Sequence, residues 1–139
     1  MKAYIDGACK GNPGPGGWAV VFEDGTKLDG HFDGTTNNQM ELTAAIKAVE
    51  LAAPEADVEL VTDSKNVIGW LHGWNMTTNR PDPAKRFKRK DPDVRLLAAE
   101  FDAVVSTKRL NVTFQKVEGH SGDPLNEWAD RLASAACYS

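Results

Sequence analysis

The spacing of hydrophobic residues changes at about residue 38 from a period of two to a helical period, and this change limits the folds open to the chain. Three segments before it are rich in β-forming residues. They are 2–6, 18–23 and 26–33. Asp24-Gly25 lies between the last two and is typical of a tight β-hairpin. The chain is therefore predicted to open with an antiparallel meander, followed by a helix from Asn38 to Ala53.

Strands and helices alternate in the rest of the chain. The predicted elements are a strand over 58–62, a short helix over 63–71, a helix over 93–107, a strand over 110–117 and a helix over 125–137. Helical crossovers make the last two strands parallel to the first. We expect an α/β fold in which a mixed five-stranded sheet, with three antiparallel strands and then two parallel ones, carries helices on both faces. At 139 residues and 41% hydrophobic composition, residues 1–139 are predicted to form one domain.

Several classes of protein do not fit this sequence. No apolar run approaches the roughly 20 residues that span a bilayer, and no secretory signal is present at the start. The chain has two cysteines, Cys9 and Cys137, and neither a disulfide framework nor a zinc-binding spacing. We therefore expect a protein without membrane association that works in a reducing compartment, the cytoplasm.

Charge is distributed unevenly along the chain. Residues 80–95 hold seven basic and three acidic residues, a local charge of +4, although the net charge of the whole chain is −4. The remainder therefore carries −8. Such asymmetry indicates either a phosphate-binding segment beside an acidic, cation-binding site or a solvated basic loop.

Four acidic residues lie where folding alone gives little reason for them. Asp6 and Asp63 each end an apolar strand, and if these strands are parallel neighbours both carboxylates emerge at the same edge of the sheet. Glu41 lies in the first turn of a helix, and Asp130 lies in the last helix. Like charges in one place are costly unless a cation joins them, and Mg²⁺ prefers such oxygen ligands. Two ions about 4 Å apart support phosphodiester hydrolysis.

Each of these residues also has an ordinary structural explanation. Asp6 could belong to a turn at the end of a strand, and Asp63 could cap a helix. A glutamate in the first turn of a helix is favoured by the helix dipole in any case, and Asp130 could be solvated. None is specific taken singly.

Three segments together resemble the cellular, type I ribonuclease H family. They are D-G-A-C-K-G-N-P-G-P-G-G at 6–17, T-T-N-N-Q-M-E-L at 35–42 with T-D-S at 62–64, and G-H-S-G-D-P-L-N-E-W-A-D-R-L-A at 119–133. Their order and spacing match over essentially the whole chain. The resemblance implies an endoribonuclease that hydrolyses the RNA strand of RNA–DNA hybrids and leaves 5′-phosphate and 3′-hydroxyl ends.

The resemblance also assigns roles to particular residues. It implies that Asp6, Glu41, Asp63 and Asp130 bind two Mg²⁺ ions, with Mn²⁺ as a possible substitute. It makes His120 the loop histidine that assists proton transfer or product departure, a role that suits an imidazole titrating near neutrality. His31 and His72 match nothing in the family.

A hybrid must be distinguished from pure duplexes, and RNA is identified by its 2′-hydroxyls. The residues expected to face the RNA strand are Gly7, Ala8, Cys9, Asn12, Asn38 and Gln39. The resemblance implies that Thr36, Trp70 and Trp74 contact the DNA strand, and the W-x-x-x-W spacing predicts that the two tryptophans share one helical face. The basic residues Lys85, Lys88, Arg89 and Lys90 match a protrusion that neutralises phosphates. Lys65 differs from the usual family pattern, in which the residue at this position near Asp63 is commonly neutral.

Other functions remain open at this stage. The chain could be a hybrid-binding module without catalysis, or the nuclease portion of a reverse-transcriptase-like polyprotein. Transposases and resolvases share the fold but act on DNA. We expect a monomer without an obligate protein partner, whose substrate is an RNA–DNA hybrid.

Overall fold

A computed structural model describes residues 1–119 and 122–138. The strands are β1 (Lys2–Cys9), β2 (Gly14–Phe22), β3 (Lys27–Thr35), β4 (Asp57–Thr62), β5 (Trp74–Asn75), β6 (Arg80–Pro81) and β7 (Asn111–Lys116). The helices are α1 (Asn37–Glu50), α2 (Lys65–Leu71), α3 (Pro92–Lys108) and α4 (Pro124–Ala136). No helix in these two ranges is both long enough and apolar enough to cross a membrane.

The main sheet has five strands in the order β3-β2-β1-β4-β7. The first three strands pair antiparallel, whereas β4 pairs parallel to both β1 and β7. The predicted mixed sheet is therefore confirmed. Because β1 and β4 are parallel neighbours at its centre, their carboxyl ends lie at one edge.

Alternation along β1 and β4 divides the core between the two faces of the sheet. Ala3, Ile5 and Leu60 pack with the buried faces of α1 and α3. Tyr4 and Val61 point to the opposite face and pack with α4. Because side chains alternate along a strand, one short apolar run is buried on both sides. The sheet thus carries helices on both faces, as the sequence predicted.

The loop after α2 differs from the prediction. Helix α2 ends at Leu71, and Gly73 adopts a φ of +140° that redirects the chain. A Cβ on Gly73 would lie 2.0 Å from the carbonyl oxygen of Asp82, so the approach of these two backbone segments requires glycine. A small hairpin follows, in which Trp74 pairs with Pro81 and Asn75 with Arg80. The prediction that Trp70 and Trp74 share one helical face is therefore wrong.

Candidate metal centre and substrate-facing residues

Three carboxylates meet at the carboxyl edge of the central strands. Asp6 lies in β1, and Asp63 follows the last residue of β4. Ligand oxygens of Asp6, Glu41 and Asp63 all lie within 4.8 Å of one another. The parallel pairing of β1 with β4 thus brings together two aspartates that are far apart in the sequence.

Glycine at position 7 brings Glu41 to this edge. Helix α1 crosses β1 so closely that a Cβ on Gly7 would lie 2.3 Å from the backbone nitrogen of Glu41 and 2.5 Å from the carbonyl carbon of Met40. Any other residue would push the helix away from the strand. Thr36 caps the helix, since its hydroxyl accepts a hydrogen bond from the Gln39 backbone N–H.

The electrostatics of the cluster are unfavourable for carboxylates alone. Asp6 is only 6% exposed, and burial, followed by the charges of Asp63 and Glu41, raises its pKa from 3.8 to about 9. A hydrogen bond with the carboxyl group of Asp130 acts in the same direction, which places Asp130 beside Asp6. Ionised Asp6 is thus costly in the protein alone.

Ionised Glu41 is also costly in the protein alone, although less so than ionised Asp6. Burial raises its pKa from 4.5 to about 7, Asp63 adds to the increase, and a hydrogen bond from the Ser64 hydroxyl opposes it. The same Ser64 oxygen accepts a hydrogen bond from the Val67 backbone N–H and caps α2. Ser64 therefore couples the start of α2 to the cluster, a role visible in the sequence only as the last letter of T-D-S.

The donor set fits a divalent cation. Carboxylate oxygens are hard ligands of the kind Mg²⁺ and Mn²⁺ accept, and a bound cation would replace the mutual repulsion of the three groups with attraction. Its charge would also lower the carboxylate pKa values that burial raises. Asp6, Glu41 and Asp63 could hold such an ion, and Asp130 adjoins them through Asp6.

The predicted catalytic histidine, His120, lies outside the described residues. The residue before it, Gly119, lies against the cluster, because a Cβ there would be 3.3 Å from Asp63 Oδ2. The chain therefore passes next to the three carboxylates immediately before residue 120.

The residues predicted to face RNA surround the start of α1. Asn12 Oδ1 accepts a hydrogen bond from the Asn37 backbone N–H and ties the loop after β1 to the helix. Gln39 accepts a hydrogen bond from the Thr35 hydroxyl and donates one to Asp93 Oδ2 at the start of α3. The Cys9 thiol donates to the Thr35 carbonyl. These contacts fix the positions of the polar groups, and contact with RNA remains a prediction for them as for Gly7, Ala8 and Asn38.

The two tryptophans predicted to contact DNA differ in exposure. Trp70 is half-buried, whereas Trp74 is only 2% exposed and has the Lys65 ammonium group 5.8 Å from its ring centroid. Trp74 therefore offers little open surface in the free protein, and its contact with deoxyribose stays a prediction. Trp74 follows directly after Gly73, whose φ is +140°, and its indole is buried.

The arginines and the lysines of the basic segment, residues 85–90, have different surroundings. The Arg89 guanidinium group donates to the Trp70 carbonyl at 2.8 and 3.0 Å and to Asp102 Oδ2 at 2.9 Å. Arg86 donates to the carbonyls of Trp70 and Leu71 at the end of α2. Arg89 thus anchors the segment in the free protein, and its contact with phosphate stays a prediction. Lys85, Lys88 and Lys90 remain exposed.

Comparison with known proteins gives a consistent result. The sequence model of the family described as RNase H matches residues 1–138. Ribonuclease H of Verminephrobacter eiseniae is 43% identical over 141 aligned residues that cover 96% of this chain and 88% of that protein. Ribonuclease HI of Caulobacter vibrioides is 44% identical and covers 96% of this chain and 90% of its own length.

Solved structures agree with these relatives. The crystal structure of RNase H1 from the halophilic archaeon Halobacterium salinarum has a TM-score of 0.72 and 32% identity, and covers 97% of this chain and 95% of that one. The N-terminal RNase H domain of a Mycobacterium tuberculosis protein has a TM-score of 0.70 and 28% identity, with coverage of 99% and 94%.

Proposed function

The chain belongs to the ribonuclease H family, and we propose on this basis that Asp6, Glu41, Asp63 and Asp130 hold the divalent ions with which it cleaves RNA paired with DNA. As a member of this family it is an endoribonuclease. The observation that carries the proposal is the approach of three carboxylates within 4.8 Å at the carboxyl edge of the sheet. We propose Mg²⁺ as the ion, bound as a pair when substrate is present, with Mn²⁺ as a substitute.

The ions supply an activated water and a stabilised leaving oxygen when they are bound. Hydrolysis breaks the bond between phosphorus and the 3′ oxygen and leaves a 5′-phosphate and a 3′-hydroxyl. No side chain forms a covalent bond to the substrate. The role of the protein is to hold Asp6, Glu41 and Asp63 in fixed relative positions, and the close approach of α1 at Gly7 supports this role. His120 assists proton transfer or product departure.

Substrate recognition divides between the two strands. We propose that the RNA strand lies against Asn12, Asn38, Gln39 and the backbone of Gly7–Cys9, where amide and main-chain groups can meet 2′-hydroxyls. The DNA strand contacts Thr36 and Trp70. The exposed ammonium groups of Lys85, Lys88 and Lys90 neutralise phosphates without reading sequence.

A cleavage assay on a labelled hybrid tests the function. Mg²⁺ should support cleavage of the RNA strand, and EDTA should stop it. Asp6→Asn and Asp63→Asn should abolish cleavage while hybrid binding persists, because these changes remove ligand charge without removing the binding surface. Asp29→Asn, which alters an exposed carboxylate on β3, is the matched control and should cleave normally.

Duplex DNA and duplex RNA assayed beside the hybrid complete the test. Cleavage of the hybrid alone supports the proposal. Equal cleavage of duplex DNA would instead favour a transposase-like or resolvase-like nuclease, and binding without cleavage would favour a hybrid-binding module. Full activity of Asp6→Asn in Mg²⁺ would refute the metal-centre assignment.

We also propose that residues 1–139 act as one catalytic domain, as a monomer, in the cytoplasm. Support for the last point comes from Cys9 and Cys137, which are both free thiols, the state expected in a reducing compartment.

A further inference from the structure

An open polar pocket of about 450 Å³ adjoins the carboxylate cluster on the side of Glu41 and Asp63. Its lining includes those two carboxylates together with Lys65 and Lys116, and the side-chain amides of Asn38 and Asn66. The pocket therefore combines groups that bind cations with groups that bind anions. Asp130, which borders Asp6 instead, does not line it.

Both lysines are held in position by the fold. Lys116 ends β7 beside Thr62 of β4, and its side chain is only 12% exposed. Lys65 is the first residue of α2, and its ammonium group lies 5.8 Å from the ring centroid of Trp74. Side chains fixed in this way lose little conformational freedom when they bind a ligand.

The ion pair of Lys116 explains how its charge is balanced in the free protein. Its Nζ lies 3.1 Å from Glu118 Oε1 and 3.4 Å from the Val117 carbonyl oxygen. The Glu118 side chain is 82% exposed, so this partner can leave at little cost. A ligand with stronger negative charge could therefore replace Glu118 at Lys116.

Phosphate is the anion that the setting favours. A nucleic-acid strand that presents one phosphate to the carboxylate-bound ions carries another phosphate one nucleotide away on each side. An ammonium group binds phosphate as a point charge, and amide N–H groups add hydrogen bonds. We propose that Lys65 and Lys116 bind the RNA phosphate that neighbours the scissile one on the Glu41–Asp63 side, an inference that rests on the proposed function.

The test asks whether each lysine contacts one particular phosphate of the RNA strand. A hybrid with a short ribonucleotide segment confines cleavage to one position. Two substrates are compared at each of the two phosphates that neighbour the scissile one. Both carry a 2′-deoxynucleotide at that position, but one has a neutral methylphosphonate linkage and the other an ordinary phosphate. For one of the two positions we expect the neutral linkage to raise KM of the wild-type protein about tenfold, the loss of one charge-assisted contact. In Lys65→Gln and Lys116→Gln this penalty should largely disappear.

Lys27→Gln is the control, because it makes the same charge change at the exposed start of β3. It should keep the full penalty. The same full penalty in both pocket variants, at both positions, would overturn the proposal. Lys65→Gln alone keeps the test decisive if the largely buried Lys116 does not tolerate replacement.

Glu118→Gln provides an independent arm with the opposite sign. Freeing Lys116 should tighten hybrid binding measured by anisotropy in EDTA, and it should steepen the salt dependence by about one phosphate contact. Unchanged or weaker binding would count against the proposal. Absence of cleavage of the unmodified hybrid by wild-type protein in Mg²⁺ would instead refute the proposed function, so the two failures are distinguishable.

Discussion

Replacing Asp6 with asparagine should stabilise the metal-free protein although it removes a metal ligand. Asp6 is 6% exposed and has Glu41 and Asp63 beside it. Burial first, and then these charges, raise its pKa from 3.8 to about 9. Without a cation the folded protein must keep the group protonated or tolerate a buried charge. Asparagine avoids both, and its side-chain oxygen can still accept the hydrogen bond from the Gly7 backbone N–H.

The magnitude follows from the two pKa values. Holding a group with an unfolded pKa of 3.8 protonated at pH 7 costs on the order of 4 kcal/mol. Some of this is recovered through the hydrogen bond with Asp130, which asparagine changes. We therefore expect Asp6→Asn to raise the unfolding free energy by about 2–4 kcal/mol at pH 7, which corresponds to an increase in Tm on the order of 10 °C.

The stability gain from Asp6→Asn should depend on pH in a direction set by the pKa shift of Asp6. The folded pKa of Asp6 is higher than the unfolded value, so its contribution to stability is fully present below pH 3.8 and is lost as pH rises toward about 9. The advantage of Asp6→Asn over wild type should therefore be small at pH 5 and larger at pH 8. Thermal unfolding in EDTA, followed by far-UV circular dichroism, measures the stability difference between the two proteins at each pH.

Two controls accompany this measurement. Asp29→Asn, at an exposed site, should shift the unfolding free energy by less than about 0.5 kcal/mol at either pH. Added Mg²⁺ should stabilise wild type more than Asp6→Asn, because ligand binding to the folded state alone raises its stability. A variant less stable than wild type at pH 8 in EDTA, or an equal gain at pH 5 and pH 8, would refute the electrostatic reasoning.

Four further outcomes are expected. Replacing Lys85, Lys88 and Lys90 with glutamine should flatten the salt dependence of hybrid binding by up to about three phosphate contacts, whereas Arg89→Gln should lower the unfolding free energy by about 1–3 kcal/mol in chemical denaturation. Gly7→Ala should lower both kcat and Tm, because a Cβ there would lie 2.3 Å from the Glu41 nitrogen; normal kcat would count against the close approach. His31→Gln should lower Tm at pH 5.5 but little at pH 8.5. Asp33 and then the Ala136 carbonyl raise the imidazole pKa above 6.5, and the stability this gives is lost as pH rises through the folded value.

Strand order and the acidic edge were predictable because they depend on local periodicity and on the parallel pairing that helical crossovers impose. Asp6 and Asp63 each follow an apolar stretch of strand, and parallel pairing of β1 with β4 brings both to one edge. The prediction that Asp6 ends its strand is wrong, because β1 continues to Cys9. The place of Glu41 beside the two aspartates was implied only by the family resemblance, and the prediction that it lies in the first turn of its helix is wrong, since that turn of α1 holds no acidic residue.

The errors have a different physical origin. The end of α2 depends on how closely Gly73 approaches Asp82, a contact between segments that no local spacing reveals. For the same reason, the spacing of Trp70 and Trp74 does not reveal how little of Trp74 is exposed. The anchoring contacts of Arg89 are not visible in the sequence, because its partners, the Trp70 carbonyl and Asp102, come together only in the folded chain. No local pattern in β7 distinguishes Lys116, because the pocket beside Asp63 forms only when the chain folds.

The chemistry of the two cationic side chains explains how the basic segment divides. A guanidinium group presents several donors in a plane and can satisfy carbonyl and carboxylate oxygens together, as Arg89 does with Trp70 and Asp102. An ammonium group is a compact, strongly hydrated charge that gains less from such a site. Arginines therefore anchor the segment to the end of α2, and Phe87 packs against Gly69 between them. The lysines project into solvent, where a mobile point charge can meet phosphates in any sequence. The number of exposed lysines, rather than the total basic charge of the segment, should therefore set the salt dependence of hybrid binding.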